Sequence, residues 1–161
     1  MSAWDFDFLS IDGKPMPMRD FAGKPVLLVN VASACGFTPQ YGGLQELHAD
    51  RQAGGLVVLG VPSNDFGAQE PGSEAAIRRF CETSFGVTFP MTAKQTVVGA
   101  GAHPLYRWIT AELGEGAAPR WNFHKYLIGR DGSVREAWPS RVAPMSVEVK
   151  TAVDAALAEP S

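Results

Sequence analysis

Cys35 is the residue of this 161-residue sequence whose type and position first suggest chemistry. It follows an apolar run, residues 26–31, that is typical of a buried central strand. Thr38 is then a possible N-cap of a helix, with Pro39 as its first residue. Backbone N–H groups at a helix start, together with the positive end of the helix dipole, favour a thiolate over a thiol. A reactive Cys35 and a buried, inert Cys35 are both compatible with this pattern.

Cys81 is the second of the two cysteines, and its pattern is different. Ile77, Phe80 and Cys81 recur at helical spacing, so the thiol is expected on or beside the apolar face of a helix that Ser73 caps. The tetrapeptide that begins at Cys35 is CGFT and contains no second cysteine. That absence argues against a plain disulfide exchanger and favours a nucleophile that is resolved from elsewhere.

The segments around these cysteines alternate between strand and helix patterns. Predicted strands cover about 6–9, 26–31, 56–61, 87–91, 123–128 and 133–138, and predicted helices cover 39–52, 74–83, 104–113 and 146–158. A strand, a helix and a strand between 26 and 61 predict a βαβ unit with parallel strands. The sequence therefore predicts an α/β fold with a mixed central sheet, helices on both faces and an N-terminal β-hairpin. Because Cys35 ends the first βα unit, this arrangement is thioredoxin-like.

The chain as a whole limits the classes of function. Its length fits a single domain, 1–161. The net charge is −3 and neither end carries a run of like charge, so no nucleic-acid partner or anionic membrane surface is expected. No apolar run approaches the ~20 residues of a membrane span, and the N-terminus lacks a signal-peptide pattern. We therefore expect a cytoplasmic protein without membrane insertion, and we expect no bound cofactor or metal.

Five separated motifs resemble the glutathione peroxidase family. In family order they are NVASACGFTPQYGGL, SNDFGAQEPG, FGVTFPM, HPLYRW and WNFHKYLIGRDG, and together they extend over nearly the whole chain. The resemblance implies a thioredoxin fold and a peroxidase that acts on hydrogen peroxide and organic hydroperoxides. Cys35 matches the peroxidatic position, where some relatives have selenocysteine. Gln69, Trp121 and Asn122 match the active-site glutamine, tryptophan and asparagine of the family.

These three side chains suit peroxide chemistry because they donate hydrogen bonds without being reactive themselves. An oxygen that leaves from a broken O–O bond carries negative charge, which such donors stabilise. Outside the resemblance, an isolated glutamine in a loop is usually solvated and an isolated tryptophan is more often part of a core.

The resemblance also implies a role for Cys81. Relatives with a cysteine in a similar ETSFGVTFP context use it as a resolving thiol and form the short, thioredoxin-dependent branch of the family. A core cysteine on an amphipathic helix is the alternative, and the helical spacing supports it. Thioredoxin or glutathione is the reductant implied, and the short connector 114–119 favours a monomer. A redox sensor that passes its oxidised state to a partner protein, and a non-catalytic binding module, remain alternative functions.

Three residues depart from the family pattern. Ser63 stands where relatives commonly have a cysteine in the loop after the second central strand, which excludes Ser63 as a redox partner. Asp65 adds a carboxylate to this loop, and it is expected to favour the neutral thiol over the thiolate if it lies close to Cys35. His124 stands where relatives often have an acidic or small polar residue, and the sequence does not indicate its effect.

Overall fold

A four-stranded mixed sheet forms the centre of the fold in the computed structural model, which describes residues 1–160. The strands in chain order are β1 (Asp7–Leu9), β2 (Pro15–Pro17), β3 (Val26–Val31), β4 (Val57–Pro62), β5 (Lys125–Ile128) and β6 (Val134–Trp138). The central sheet has the order β4-β3-β5-β6, in which β3 and β4 are parallel and the β3–β5 and β5–β6 pairs are antiparallel. β1 and β2 form the separate N-terminal hairpin that the sequence predicts.

Four helices cover both faces of this sheet. They are α1 (Gln40–Arg51), α2 (Glu74–Phe85), α3 (Pro104–Leu113) and α4 (Val147–Ala158). Side chains alternate across β3, so that Leu27 and Val29 pack in one core with α1, α2 and α4, while Val26 and Leu28 pack in a second core with α3. Burial on both faces explains the continuous apolar run of β3. The predicted α/β fold of thioredoxin-like type is confirmed.

Local capping residues set the starts of three helices. Ser73 accepts a hydrogen bond from the Ala76 N–H at the start of α2, and Ser146 accepts one from the Val149 N–H at the start of α4. At α3 the His103 ring accepts the Leu105 N–H, and Pro104 follows at a position that needs no donor. Each cap of the serine type stabilises its helix by about 1 kcal/mol. No helix within residues 1–160 has the length and apolarity needed to span a membrane.

The predicted strand at 87–91 is wrong. This segment meets β4 through one isolated parallel bridge, between Gly60 and Met91. Gly60 donates its N–H to the Pro90 carbonyl at 3.1 Å and accepts the Thr92 N–H at 2.9 Å. A longer ladder does not form because Pro90 has no N–H to donate. Phe89 and Met91 are nevertheless buried, which accounts for the strand-like composition.

Candidate active site

Cys35 lies in a tight turn between β3 and α1, and Thr38 shapes that turn. The Thr38 hydroxyl accepts the Cys35 N–H at 2.8 Å and donates to the Ala32 carbonyl at 2.8 Å. The expected role of Thr38 as an N-cap is therefore wrong: α1 begins at Gln40, after Pro39, without a side-chain cap. The hydroxyl is instead used to hold the backbone of the cysteine.

The Cys35 thiol receives a backbone donor within this turn. The Phe37 N–H points at Cys35 Sγ with a nitrogen–sulfur distance of 3.3 Å. A donor in this position stabilises negative charge on sulfur more than it stabilises a neutral thiol. The residue is only 8 % exposed, so the thiol is largely shielded from bulk water. The turn therefore places a backbone donor directly against the Cys35 sulfur.

Thr38→Val is expected to damage both the turn and the reactivity of Cys35. Valine has the same shape but leaves the Cys35 N–H and the Ala32 carbonyl without the Thr38 hydroxyl, which costs about 1–3 kcal/mol of unfolding free energy. Urea unfolding and the rate of Cys35 oxidation by peroxide measure the two effects. Thr38→Ser keeps the hydroxyl and should stay close to wild type; equal behaviour of the two variants would contradict this role.

Gln69 lies in the loop that follows β4, and this loop is tied to the cysteine turn. Ala34, directly before Cys35, donates its N–H to the Gln69 carbonyl at 3.1 Å. Gly67 has a φ of 67°, and a Cβ added there would lie 3.0 Å from the Trp121 ring. The position thus requires glycine for its backbone conformation and for the close approach of the indole.

Trp121 and Asn122 precede β5 and reach the same loop. An Asn122 amide N–H donates to Gln69 Oε1 at 2.9 Å, and the same nitrogen lies 3.4 Å from the Phe66 carbonyl. The Trp121 ring packs on Phe66 with centroids 5.8 Å apart, and the residue is 37 % exposed. The structure therefore brings Gln69, Trp121 and Asn122 together, and the Ala34–Gln69 hydrogen bond joins this group to the turn of Cys35.

The three candidate donors are not equivalent in this arrangement. Because Gln69 Oε1 accepts from Asn122, the Gln69 amide nitrogen faces away from Asn122 and has no protein acceptor within the described residues. Both N–H groups of the Asn122 amide, in contrast, have protein acceptors nearby. Gln69 is thus the available donor, and Asn122 orients it.

Cys81 lies on α2 as a free thiol, and Cys35 is also free. It is 1 % exposed and packs in the same core as Ile77, as its helical spacing predicts. The Tyr41 hydroxyl lies beside the sulfur. Burial raises the pKa of the Cys81 thiol to about 11, with Glu70 and Glu82 adding to the effect. A thiol in this environment stays protonated and unreactive at neutral pH.

Glu70 is a buried acid beside the site that the sequence reasoning missed. Its carboxylate accepts the Ser33 N–H at 2.8 Å and the Ser33 hydroxyl at 3.0 Å, two residues before Cys35. Burial raises the pKa of the Glu70 carboxyl, against the lowering effect of the hydrogen bonds from Ser33. Its backbone N–H donates to the Asn64 side chain at 2.8 Å. The only signal in the sequence was its position next to Gln69, since a loop glutamate is usually exposed.

The three departures from the family pattern lie at buried or backbone-binding positions. The Asp65 carboxylate accepts the N–H groups of Val97 and Val98 at 2.6 and 3.3 Å, so it is engaged with that segment of backbone. Ser63 is fully buried, and its hydroxyl accepts the Asp65 N–H at 3.3 Å. His124 packs on Tyr126, and burial lowers the pKa of its ring to about 4. Over residues 1–160, no group of three or more His, Cys, Asp or Glu side chains is arranged to hold a metal ion.

Comparisons with known proteins find matches over most of the chain. The sequence model of the glutathione peroxidase family matches residues 3–110, a segment that contains Cys35, Gln69 and Cys81 and ends before Trp121. The hydroperoxy fatty acid reductase gpx1 of Synechocystis sp. is 46 % identical over 149 residues, which cover 88 % of this chain and 88 % of the relative. The thioredoxin/glutathione peroxidase BtuE of Escherichia coli is 39 % identical over 171 aligned residues, which cover 92 % and 93 %. The crystal structure of Trgpx in apo form is 34 % identical, with a TM-score of 0.81 and coverage of 99 % of this chain and 97 % of that one. This chain therefore belongs to the glutathione peroxidase family.

Proposed function

We propose that this thiol peroxidase uses Cys35 to reduce hydrogen peroxide and organic hydroperoxides through a cysteine sulfenic acid. The observation that carries the proposal is the pair of hydrogen bonds from Ala34 to Gln69 and from Asn122 to Gln69, which assembles donors next to the cysteine turn. The name of the Synechocystis relative, a hydroperoxy fatty acid reductase, supports organic hydroperoxides as substrates.

In the first half-reaction the Cys35 thiolate attacks one oxygen of the peroxide. An S–O bond forms while the O–O bond breaks, so the sulfur is oxidised to a sulfenic acid and the peroxide is reduced to water or an alcohol. The leaving oxygen carries negative charge until it takes up a proton. The Gln69 amide nitrogen and the Trp121 indole N–H are the donors that stabilise this charge.

We expect slower oxidation of Cys35, with little change in the free energy of unfolding, in the three variants Gln69→Ala, Asn122→Ala and Trp121→Phe. In other enzymes, removing a single donor aimed at developing charge lowers the rate by roughly 10²–10³-fold. The rate of Cys35 oxidation in Gln69→Ala should therefore fall by at least about 100-fold. The rate of Asn122→Ala should fall less, because the Asn122 side chain acts by orienting Gln69. Stopped-flow oxidation by peroxide gives the rates, and urea unfolding gives the stabilities.

Gln45→Ala is the matched control for these variants. Gln45 lies on α1 and exchanges hydrogen bonds with Thr88. The change therefore deletes a glutamine amide that does not belong to the candidate donor group. Its peroxide rate should match wild type. If the three site variants also react at the wild-type rate, the proposed donor group is wrong.

The second half-reaction that we propose joins Cys35 to Cys81. The Cys81 sulfur attacks the sulfenic sulfur, an S–S bond forms as the S–O bond breaks, and the thiol proton leaves with the hydroxyl group as water. Thioredoxin then reduces this disulfide, with glutathione as the alternative reductant. The printed name of the Escherichia coli relative, a thioredoxin/glutathione peroxidase, supports both reductants. We propose that the protein acts in the cytoplasm, where thioredoxin and glutathione keep thiols reduced. We also propose that it is a monomer, because the connector after α3 is short.

A coupled assay tests the proposed function. Oxidation of NADPH is followed with peroxide and either thioredoxin plus its reductase or glutathione plus its reductase. We expect many turnovers per protein and faster turnover with thioredoxin. Consumption of less than one equivalent of peroxide with both reductants would contradict a peroxidase, and faster turnover with glutathione would contradict the thioredoxin assignment.

A further inference from the structure

Lys125 is a fully buried lysine on β5 that the peroxidase chemistry above does not use. Side chains alternate along the strand, so Lys125 shares a sheet face with Leu127, while Tyr126 and Ile128 pack in the core on the other face. Its ammonium donates to the Phe123 carbonyl at 2.7 Å and lies 3.4 Å from the Ser140 carbonyl. Within residues 1–160, no ion pair with a carboxylate involves Lys125. A charge in such a place destabilises a fold unless it is well compensated.

The carbonyl that Lys125 holds belongs to a residue with unfavourable backbone geometry. Phe123 is fully buried and has a φ of 67°, the left-handed conformation that residues with a Cβ rarely adopt. Asn30 on β3 holds the same turn from the other side. Its backbone carbonyl accepts the Phe123 N–H at 2.6 Å, and its side-chain amide donates to the Trp121 carbonyl at 3.0 Å. Lys125 and Asn30 thus hold this turn from two strands.

The turn at Phe123 determines where the two preceding side chains point. Trp121 and Asn122 are the candidate site residues on this turn, and Asn122 in turn orients Gln69. A left-handed residue survives where the surrounding structure over-determines it, and such residues are concentrated at functional sites. A group that holds Phe123 in this conformation therefore acts on the donors through the backbone.

We propose that Lys125 is a positioning residue of peroxide reduction, whose buried ammonium holds the Phe123 carbonyl and so fixes the turn that presents Trp121 and Asn122. The proposal rests on the donor roles assigned above. Lys125 does not touch the reacting atoms. It acts through Phe123, to whose carbonyl an apolar side chain at this position could not donate a hydrogen bond.

Burial also lowers the pKa of the Lys125 ammonium to about 7. Below pH 7 the group is protonated in both the folded and the unfolded chain, and the folded state bears the full cost of the buried charge. Between about pH 7 and the ordinary lysine pKa of roughly 10.4, the unfolded chain binds the extra proton, so the stability of the fold rises with pH. Lys125 therefore contributes a stability gain between pH 6 and 9 that an apolar replacement removes.

Lys125→Met tests the proposal with Leu127→Met as the matched control on the same strand face. We expect Lys125→Met to oxidise Cys35 at least about tenfold more slowly while its stability at pH 6 is unchanged or higher. Amide exchange at Phe123 should become faster in this variant, and the stability gain between pH 6 and 9 should shrink. Leu127→Met should leave the peroxide rate and the Phe123 amide unchanged. If Lys125 had only a structural role, Lys125→Met would lower the free energy of unfolding together with the peroxide rate.

Lys125→Gln is the second variant, because its amide still donates and should retain more activity than Lys125→Met. A wild-type peroxide rate together with a wild-type Phe123 amide in Lys125→Met would overturn the proposal. So would an equal loss of rate in Lys125→Met and Leu127→Met. If Gln69→Ala and Asn122→Ala are themselves without effect, the proposed donor roles fail instead, and exchange at the Phe123 amide still decides whether Lys125 positions the turn.

Discussion

Cys35→Ser is expected to abolish peroxide reduction and leave the fold intact. A serine hydroxyl is a poor nucleophile at neutral pH and cannot form a sulfenic acid, so the rate should fall by more than about a thousandfold. The contacts that shape the turn involve the backbone of residue 35, through the Thr38 hydroxyl, and remain possible with serine. The hydrogen bond that the Phe37 N–H donates to the side chain can be accepted by oxygen as well as by sulfur.

Stopped-flow kinetics with one equivalent of hydrogen peroxide measures this effect, and thermal unfolding checks the fold. Cys81→Ser is the natural control, because it removes the other thiol and should keep the first oxidation. Peroxidase activity in Cys35→Ser, at any rate comparable with wild type, would remove Cys35 from the mechanism. Loss of activity with a large loss of stability would instead mean that the residue is structural.

The starts of α2 and α3 and the parallel pairing of β3 and β4 are the parts of this fold that the sequence predicts well. A cap is a hydrogen bond between residues two or three apart, so Ser73 and the His103-Pro104 pair carry the signal within a few letters of sequence. The parallel pairing of β3 and β4 follows from the strand–helix–strand order. A helix that connects two strands of one sheet returns the chain so that the second strand runs parallel to the first, almost always with a right-handed crossover.

Features that depend on the three-dimensional path of the chain could not be predicted in the same way. Thr38 has the pattern of an N-cap because Pro39 follows it. Its hydroxyl instead donates to the carbonyl of Ala32, which precedes the cysteine turn. The burial of Glu70 depends on Ser33, which lies 37 residues earlier in the chain. The second carbonyl near the Lys125 ammonium, that of Ser140 at 3.4 Å, likewise lies 15 residues away in the chain. Nothing in the local sequence indicates that either charge has such a partner.

The candidate site combines both kinds of feature. The motifs that match the family identify Gln69, Trp121 and Asn122 as a set, but they do not rank the three side chains. The ranking comes from tertiary contacts: the Asn122 amide faces Gln69 Oε1, which leaves the Gln69 nitrogen available. A sequence can therefore nominate the members of such a group, while the direction of each amide is decided by contacts across more than 50 residues of chain.

Cys81→Ser is expected to preserve the oxidation of Cys35 but to block recycling by thioredoxin. A disulfide needs the two Cα atoms within about 7 Å and suitably directed Cβ atoms. In the reduced fold Cys81 is a free, buried thiol on a helix that is fixed at both ends, by a serine cap at its start and by Gly86 in the left-handed conformation at its end. We therefore expect α2 to loosen before the bond forms.

The raised pKa of Cys81 gives this loosening a chemical role. A thiol with a pKa of about 11 is almost entirely protonated at neutral pH, and leaving the core returns it towards the ordinary value of about 8.5. Exposure thus raises the thiolate fraction by roughly a hundredfold or more, since each pKa unit is a factor of ten. Local opening of α2 would bring the second sulfur within reach and activate it in a single event.

Four measurements on wild type and Cys81→Ser decide whether Cys81 resolves the oxidised Cys35. Peptide mapping after one equivalent of peroxide should find the Cys35–Cys81 bond in wild type, and hydrogen exchange should show α2 less protected in the oxidised protein. Turnover of Cys81→Ser with thioredoxin should fall by more than about a hundredfold, while its single-turnover reaction with peroxide stays at the wild-type rate. If the disulfide never forms, or if Cys81→Ser turns over normally with thioredoxin, Cys81 is a core residue, and the reductant must attack the Cys35 sulfenic acid directly.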